Sequence, residues 1–403
     1  MSAPDPSFYP ASGNTLKDSN TMHASQDYAF DAIVDRHNTN SSKWDKYKHQ
    51  DIIPLWIADT DFKVAPCIQQ ALTERMQHGV FGYTSVDGDY NQVVVDYYQH
   101  KYGCQVDPSW VVWVPGIVAS LSLAIRSLSK QHGQVLTPDI VYPYFHTTPG
   151  AAGKQANHLA MTYAQDRVRL DLDALEKCNA QDARVMLFCN PQNPGGAMYT
   201  REELLRIDRY CEANNLILVS DEIHADIILD ADKQHIPYLD VSAHALNNSI
   251  VLGAASKAFN VAGLACSWAI IADTDLRQKF VDEMHGIISE INPFGYLATL
   301  TALAEGDEWL AQMNAYLRNN RDYLMHQVNA IEGLRMLPLE STFLAWIDVS
   351  ELKLENPCAF FEAAGVGMSA GHNFNDSNFL RLNFGCAKSV LEEAIRRIKK
   401  ALA

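Results

Sequence analysis

A lysine and an aspartate that follow apolar segments are the residues best placed to do chemistry. Lys257 comes after the apolar run 250–252 and a stretch of small residues, and Asp221 ends the apolar run 216–219. Burying either charge is costly unless the charge is used or paired. A buried lysine can hold an aldehyde as a Schiff base, and a buried aspartate can pair with a pyridinium nitrogen. Together they suit pyridoxal phosphate (PLP).

Both residues also have ordinary structural explanations. A lone lysine at a strand end commonly extends its ammonium group to solvent, and a lone aspartate commonly caps the segment that follows it. The occurrence of Lys257 together with Asp221 and the motifs described next favours the cofactor interpretation.

Residues 190–196 (NPQNPGG) form a turn-rich string after an apolar segment. Such a string is typical of a strand exit, which by itself explains its prolines and glycines. An asparagine amide at this position can also donate a hydrogen bond to the phenolic oxygen of a cofactor ring. We select Asn193 for this role.

Gly116, Ile117 and Val118 open a predicted apolar helix that extends to residue 128. The free N–H groups and the dipole at a helix start bind phosphate, and a glycine allows the backbone to approach a ligand closely. An ordinary helix start has the same pattern, so this motif is weak when taken alone.

Two tyrosines and one arginine are candidates for the pocket wall. Tyr83 and Tyr142 are aromatic candidates, although most tyrosines are structural. Arg381 lies on a predicted strand, where alternation places it on one face with Phe379 and Asn383. Its guanidinium can bind a carboxylate through two hydrogen bonds, or it can form a surface ion pair.

Composition narrows the class of protein. The 403 residues are 47% hydrophobic, which predicts two domains, and the net charge of −16 argues against nucleic acid and anionic membrane surfaces as partners. The eight cysteines are scattered without a C-x-x-C pair, which favours a reduced, cytoplasmic protein without a structural zinc site. No apolar stretch is long enough for a membrane span. Residues 1–28 indicate a flexible tail rather than a signal peptide.

Alternating strands and helices in the middle of the chain predict an α/β fold with a mostly parallel sheet. A helix is predicted over 200–214, with Thr200 as N-cap and Glu203 completing a capping box. Ligands of such sheets bind beyond the carboxyl ends of the strands, where Asp221 and Lys257 fall. The predicted strands are 133–138, 184–189, 216–220, 249–253 and 268–272.

The pattern changes after about residue 300 and predicts a smaller α+β domain. Its predicted elements are helices over 306–331 and 390–402 and strands over 343–349 and 379–384. We assign residues 55–300 to a large cofactor-binding domain. Residues 29–54 and 301–403 are assigned to the small domain.

From about residue 30 to the C-terminus, these motifs resemble the aspartate-aminotransferase-fold family of PLP enzymes (fold type I). Within it the chain is most similar to the MalY/PatB-type carbon–sulfur β-lyases, which include cystathionine β-lyases. His224 and Ala265 also fit that subgroup, because ordinary aminotransferases usually carry tyrosine and arginine there. The N-terminal marker comprises Phe30-Asp31, Arg36, Thr39-Asn40-Ser41, Lys43-Trp44-Asp45 and the string 55–62 (LWIADTDF).

The resemblance implies a role for each candidate. Lys257 would be the Schiff-base lysine, Asp221 the pyridinium partner, and Asn193 the donor to the ring oxygen. Tyr142 would stack on the ring, and Arg381 would bind the substrate carboxylate. Tyr83 would reach the phosphate of the other subunit in a homodimer, and Lys257 or Tyr83 would protonate the leaving sulfur. The remaining implied cofactor-binding residues are Gly116, Ile117, Val118, Ser256 and His224.

The implied activity is β-elimination from a sulfur-containing amino acid such as cystathionine, giving a thiol, pyruvate and ammonia. An aminotransferase of the same fold and a lyase with an added regulatory binding role are the alternatives. Two positions depart from the family pattern: Gln192 stands where histidine is frequent, and Ala254 replaces a frequent hydroxyl residue.

Overall fold

The computed structural model describes residues 27–86 and 88–403. Of the predicted flexible tail, residues 1–26 lie outside the described part of the chain. Among the described residues, no helix is both long enough and apolar enough to cross a bilayer.

The strands are short and are distributed along the whole described chain. In order they are β1 (Ile53–Pro54), β2 (Val111–Val114), β3 (Gln134–Pro138), β4 (Gln155–Leu159), β5 (Met161–Thr162), β6 (Arg169–Leu170), β7 (Ala183–Cys189), β8 (Ile217–Asp221), β9 (Ser249–Gly253), β10 (Ser267–Ile270), β11 (Arg335–Met336), β12 (Leu344–Asp348), β13 (Val366–Gly367), β14 (Ser369–Ala370) and β15 (Phe379–Asn383).

Most helices lie between these strands in the sequence, and the last helix is at the C-terminus. In order they are α1 (Ser42–Asp45), α2 (Pro66–His78), α3 (Gly88–Tyr102), α4 (Ile117–Leu128), α5 (Tyr144–Ala151), α6 (Leu172–Leu175), α7 (Arg201–Ala213), α8 (Ala243–Asn247), α9 (Thr274–Met284), α10 (Pro293–Glu305), α11 (Asp307–Asn329), α12 (Pro357–Ala363) and α13 (Lys388–Leu402).

A seven-stranded sheet of order β2-β10-β9-β8-β7-β3-β4 forms the centre of the larger part of the molecule. The pairs β9–β8, β8–β7, β7–β3 and β3–β4 are parallel, whereas β10 is antiparallel to both of its neighbours. This mixed, mostly parallel sheet confirms the predicted α/β fold.

Burial on both faces explains the continuous apolar runs of the central strands. In β8, Ile217 and Val219 enter the core on one face, while Leu218 enters the core on the other. The helix that precedes β8 starts as predicted: the Thr200 side chain accepts from the Glu203 N–H, and the Glu203 carboxylate accepts from the Thr200 N–H.

A four-stranded antiparallel sheet of order β11-β12-β15-β14 packs with α11 and α13 around a separate core. Leu380 and Leu382 of β15 enter this core, so Arg381 lies on the opposite face, as strand alternation predicts. The N-terminal β1 pairs in parallel with β13. The division into domains at residues 54/55 and 300/301 stays a prediction.

The two sheets bring the candidate residues toward one cleft. Asp221 ends β8, Lys257 lies in the turn 255–260 that follows β9, and α4 begins just after β2. These positions are at the carboxyl ends of strands of the large sheet, whereas Arg381 comes from the smaller sheet.

Candidate active site

A cavity of about 370 Å³ collects ten of the eleven residues selected from the sequence. They come from both sheets, from the start of α4 and from the loops beyond β7 and β9. The ten are Gly116, Ile117, Val118, Tyr142, Asn193, Asp221, His224, Ser256, Lys257 and Arg381.

Lys257 points its ammonium group at a backbone carbonyl. Its Nζ donates to the Ala58 carbonyl oxygen at 2.6 Å. Burial lowers the pKa of Lys257 to about 8; the Arg381 cation acts in the same direction, and the Asp59 and Asp221 carboxylates oppose it. At pH 7 roughly a tenth of the Lys257 side chains are therefore in the neutral amine form that a base or nucleophile requires, and this fraction rises with pH.

Asp221 is a buried carboxylate with few neighbouring groups that stabilise its negative charge. Its side chain is almost completely inaccessible, and its Oδ1 accepts from the Ile223 N–H at 3.1 Å. Burial raises the pKa of Asp221 to about 7, although the Ile223 N–H and the Lys257 cation favour the ionised form. A cation placed against this carboxylate would restore its negative charge.

Arg381 is a buried guanidinium without a carboxylate partner among the described residues. Its NH1 donates to Asn193 Oδ1 and its NH2 to the Trp56 carbonyl oxygen, both at 3.0 Å, and it lies over the Phe374 ring at 4.6 Å. Its Nε–H has no hydrogen-bond partner within the described chain, and burial lowers the pKa of Arg381 to about 10. The group is therefore poised to bind an anion.

The start of α4 offers backbone donors to the cavity. Gly116 has φ +118°, a left-handed conformation that other residues rarely adopt. Its own N–H is already used, donating to Val114 O at 2.9 Å and to Ser267 Oγ at 3.0 Å. The first N–H groups of a helix lack partners inside it, so the available donors begin at Ile117.

Tyr142, His224 and Ser256 also line the cavity. Burial raises the pKa of Tyr142 to about 12, so its hydroxyl stays neutral. Burial, together with the Lys257 and Arg381 cations, lowers the pKa of His224 to about 3, so its ring is neutral. The His224 Nδ1 atom is buried without a hydrogen-bond partner in the described chain, and Ser256 lines the cavity beside Lys257.

Tyr83 is the selected residue that the structure does not bring to this cavity. It is 100% exposed in the single chain, within a segment that also exposes Val80 and Phe81. Its assignment across a dimer interface stays a prediction.

Sequence reasoning missed the part played by the backbone of residues 56–62, which we call the strap. The strap follows β1 and passes two buried cations of the cavity: Trp56 O accepts from Arg381, and Ala58 O accepts from Lys257. A carbonyl group is common to every residue type, so no sequence signal could have identified these contacts.

The N-terminal family marker corresponds to an ion network that anchors the strap. Arg36 pairs with Asp59 and with Asp61, both at 2.7 Å. Lys43 has no solvent-accessible surface, and its ammonium group contacts Asp61 at 2.8 Å and the Asp59 carbonyl oxygen at 3.2 Å. In the sequence, these residues are identified only by their resemblance to the family. Their contacts in the structure indicate that they hold the strap in place.

Comparisons with known proteins agree with this architecture. The family model for aminotransferase class I and II matches residues 50–398. The chain is 31% identical to cystathionine beta-lyase PatB of Bacillus subtilis (strain 168), over 93% of this chain and 100% of PatB. The crystal structure of OvoB matches with a TM-score of 0.90 and 40% identity, over 93% of this chain and 99% of that one.

A further solved structure is similar in the same way. Cystalysin from Treponema denticola, whose crystal structure contains a pyridoxal 5'-phosphate cofactor, matches with a TM-score of 0.89 and 26% identity. The match covers 94% of this chain and 99% of cystalysin. The predicted resemblance is confirmed.

The lowered pKa of Lys257 gives a direct prediction. In the full chain without cofactor, trinitrobenzenesulfonate should label Lys257 with a rate that rises through a midpoint near pH 8, because only the neutral amine attacks. Asp221→Asn should move this midpoint to lower pH, since it removes a carboxylate that favours the ammonium form. Peptide mass spectrometry measures the labelling, with the exposed Lys48 as the reference. A Lys257 midpoint near that of ordinary lysines, at about pH 10.4, would contradict the prediction.

Proposed function

Because the chain belongs to the aminotransferase class I and II family, whose model matches residues 50–398, we propose that it is a PLP-dependent carbon–sulfur β-lyase. The substrate is a sulfur-containing amino acid, cleaved to a thiol, pyruvate and ammonia. The observation that carries the proposal is the convergence of Lys257, Asp221 and Arg381 in one cavity, in a chain aligned along its length with a cystathionine beta-lyase.

The residues of the cavity fit PLP. Asp221 is a buried carboxylate in need of a cation, which a protonated ring nitrogen provides. The amides that begin at Ile117 suit a phosphate group, and Tyr142 offers an aromatic face. Asn193 and His224 line the same cavity, and Asn193 would donate a hydrogen bond to the phenolic oxygen of the ring. The bound cofactor supplies an electron sink that stabilises negative charge at the substrate Cα.

Lys257 is the proposed proton carrier. With a pKa of about 8, its Nζ can accept the α-proton of the substrate and later release a proton at a similar pH. While the side chain is free, the Ala58 carbonyl accepts from either its amine or its ammonium form and so orients Nζ. Protonation of the leaving sulfur is assigned to Lys257 or Tyr83.

Arg381 is the proposed carboxylate anchor. Two of its nitrogens are fixed by Asn193 and Trp56, which orients the plane of the guanidinium. A substrate carboxylate would supply the anion that the buried cation lacks. Fixing that group restricts the rotation of the substrate, so the α-proton is presented to Lys257 in one geometry.

The decisive assay measures pyruvate. With cystathionine or an S-alkyl cysteine and no keto-acid acceptor, the purified holoenzyme should release pyruvate, ammonia and thiol in equal amounts. Lys257→Ala should lower turnover by at least about 1,000-fold, since it removes both the cofactor anchor and the base. Turnover that requires a keto-acid acceptor and yields no free thiol would identify an aminotransferase instead.

Arg381→Lys tests the carboxylate anchor. Lysine keeps the charge but loses the planar pair of donors, so kcat/KM should fall about 100-fold, mostly through KM. Arg335→Lys, an exchange at an exposed position of β11, is the matched control. Steady-state kinetics with one sulfur amino acid provide the measurement. A kcat/KM within about threefold of the original would remove Arg381 from the proposed site.

We also propose that the protein acts as a homodimer and that Tyr83 serves the active site of the partner subunit. The support is a surface rich in exposed apolar side chains around α2 and the following loop, which a single chain leaves in contact with water. These are Met76, Val80, Phe81 and Tyr83.

Hybrid dimers test the sharing of Tyr83. The Lys257→Ala homodimer and the Tyr83→Phe homodimer should each have less than full activity. A purified hybrid of the two should recover about half of the original activity, because one of its two sites combines an intact Lys257 with an intact Tyr83. Two different affinity tags isolate the hybrid. If its activity does not exceed half that of the Tyr83→Phe homodimer, Tyr83 acts within its own subunit or not at all.

A further inference from the structure

The strap is fixed by side chains rather than by a neighbouring strand. Nearly every carbonyl oxygen from Trp56 to Phe62 accepts a hydrogen bond from a side chain of another segment. Two of these donors are the cations Lys257 and Arg381. The donors are Arg381 and Ser369 to Trp56 O, Asn383 to Ile57 O, Lys257 to Ala58 O, Asn383 and Lys43 to Asp59 O, Arg36 and Asn260 to Thr60 O, and Asn260 to Phe62 O.

Asn260 joins the strap to the turn that carries Lys257. Its Nδ2 donates to Thr60 O at 3.0 Å and to Phe62 O at 2.8 Å, and its Oδ1 accepts from the Thr60 N–H at 3.2 Å. A single carboxamide therefore makes three hydrogen bonds to the strap. Because Asn260 follows Lys257 by three positions in the same turn, these bonds set where that turn lies relative to Ala58.

The backbone at Asn260 restricts which residues can do this. Its φ is +57°, in the left-handed region, where asparagine and glycine are favoured among the natural residues. Glycine has the required backbone freedom but no carboxamide. Aspartate can accept from the Thr60 N–H, but its carboxylate cannot donate to the two carbonyls.

We propose that Asn260 is a positioning residue for the lyase reaction: its carboxamide holds the turn of residues 255–260 against the strap, so that the Lys257 amine, whenever it is free, lies on the Ala58 carbonyl. The strap extends this effect to the substrate anchor, because Arg381 holds Trp56 O only two residues from Ala58. Asn260 thereby fixes the base relative to the carboxylate anchor without touching substrate or cofactor.

Asn260→Gly isolates the carboxamide, since glycine keeps the left-handed backbone unstrained. We expect kcat to fall about 10- to 100-fold while KM changes less than about threefold, because a misplaced base affects turnover more than binding. Pyruvate release by the holoenzyme gives both constants.

A second readout does not depend on activity. In the full chain without cofactor at pH 10, where the Lys257 amine is neutral, trinitrobenzenesulfonate should label Lys257 about fivefold faster in Asn260→Gly than in the original protein, because the amine is no longer held. Asn215→Gly is the matched control: Asn215 also has positive φ, is exposed, and precedes β8 at the end opposite Asp221. It should leave both readouts unchanged.

Asn260→Asp separates donor from acceptor and serves as the second variant if the glycine exchange fails to fold. It should behave like Asn260→Gly, because the two donated hydrogen bonds are lost. Unchanged labelling of Lys257 in a folded variant overturns the proposal, whatever happens to kcat. Faster labelling with unchanged kcat overturns it as well.

The kinetic half of this inference rests on the proposed lyase function, whereas the labelling half does not. If the original protein releases no pyruvate from any sulfur amino acid, the lyase proposal fails by itself. The labelling comparison then still decides whether Asn260 holds Lys257 in place.

Discussion

Three charged groups are buried in one cavity without direct ion pairs among them, and this uncompensated burial is the constraint on which the site depends. For Asp221, Lys257 and Arg381, burial moves the pKa toward the neutral form of each group. Such an arrangement is unfavourable by itself, and the surrounding cores must offset its cost. A ligand with a cationic ring nitrogen and a substrate with a carboxylate would each supply a missing counter-charge. Binding would therefore offset the free-energy cost of burying these charges on folding.

The fold satisfies this constraint by bringing the charges from different elements. Asp221 ends β8 and Lys257 follows the neighbouring parallel strand β9 of the large sheet, whereas Arg381 comes from the antiparallel sheet. The strap lies between them and accepts hydrogen bonds from both cations. Its own position is secured by Arg36 and Lys43, whose ion pairs with Asp59 and Asp61 are largely shielded from water. Residues far from the cavity in sequence thus determine the geometry inside it.

The parts of the structure that depend on local patterns were predictable from the sequence. The apolar run that ends at Asp221, the capping box of Thr200 and Glu203, and the alternation around Arg381 each report a nearby physical cause, and each prediction is confirmed in the fold. The relation of Arg381 to Asn193 was not visible, because 188 positions separate the two residues. The strap was invisible for a different reason, since its contacts use carbonyl oxygens that every residue possesses. Asn260 stood inside the lysine motif, yet only the folded backbone reveals what its amide joins.

The structure at the start of α4 determines which substitutions the proposed phosphate-binding position would tolerate. Since the N–H of Gly116 is already bound to Val114 and Ser267, the remaining donors belong to the main chain of the residues that follow. A main-chain donor survives almost any codon change, with proline as the exception. Mutational drift can therefore alter the shape and polarity of this corner of the cavity while the proposed phosphate donors persist. Gly116 is the position where drift is restricted, because its left-handed backbone, rather than a functional group, is what a replacement would disturb.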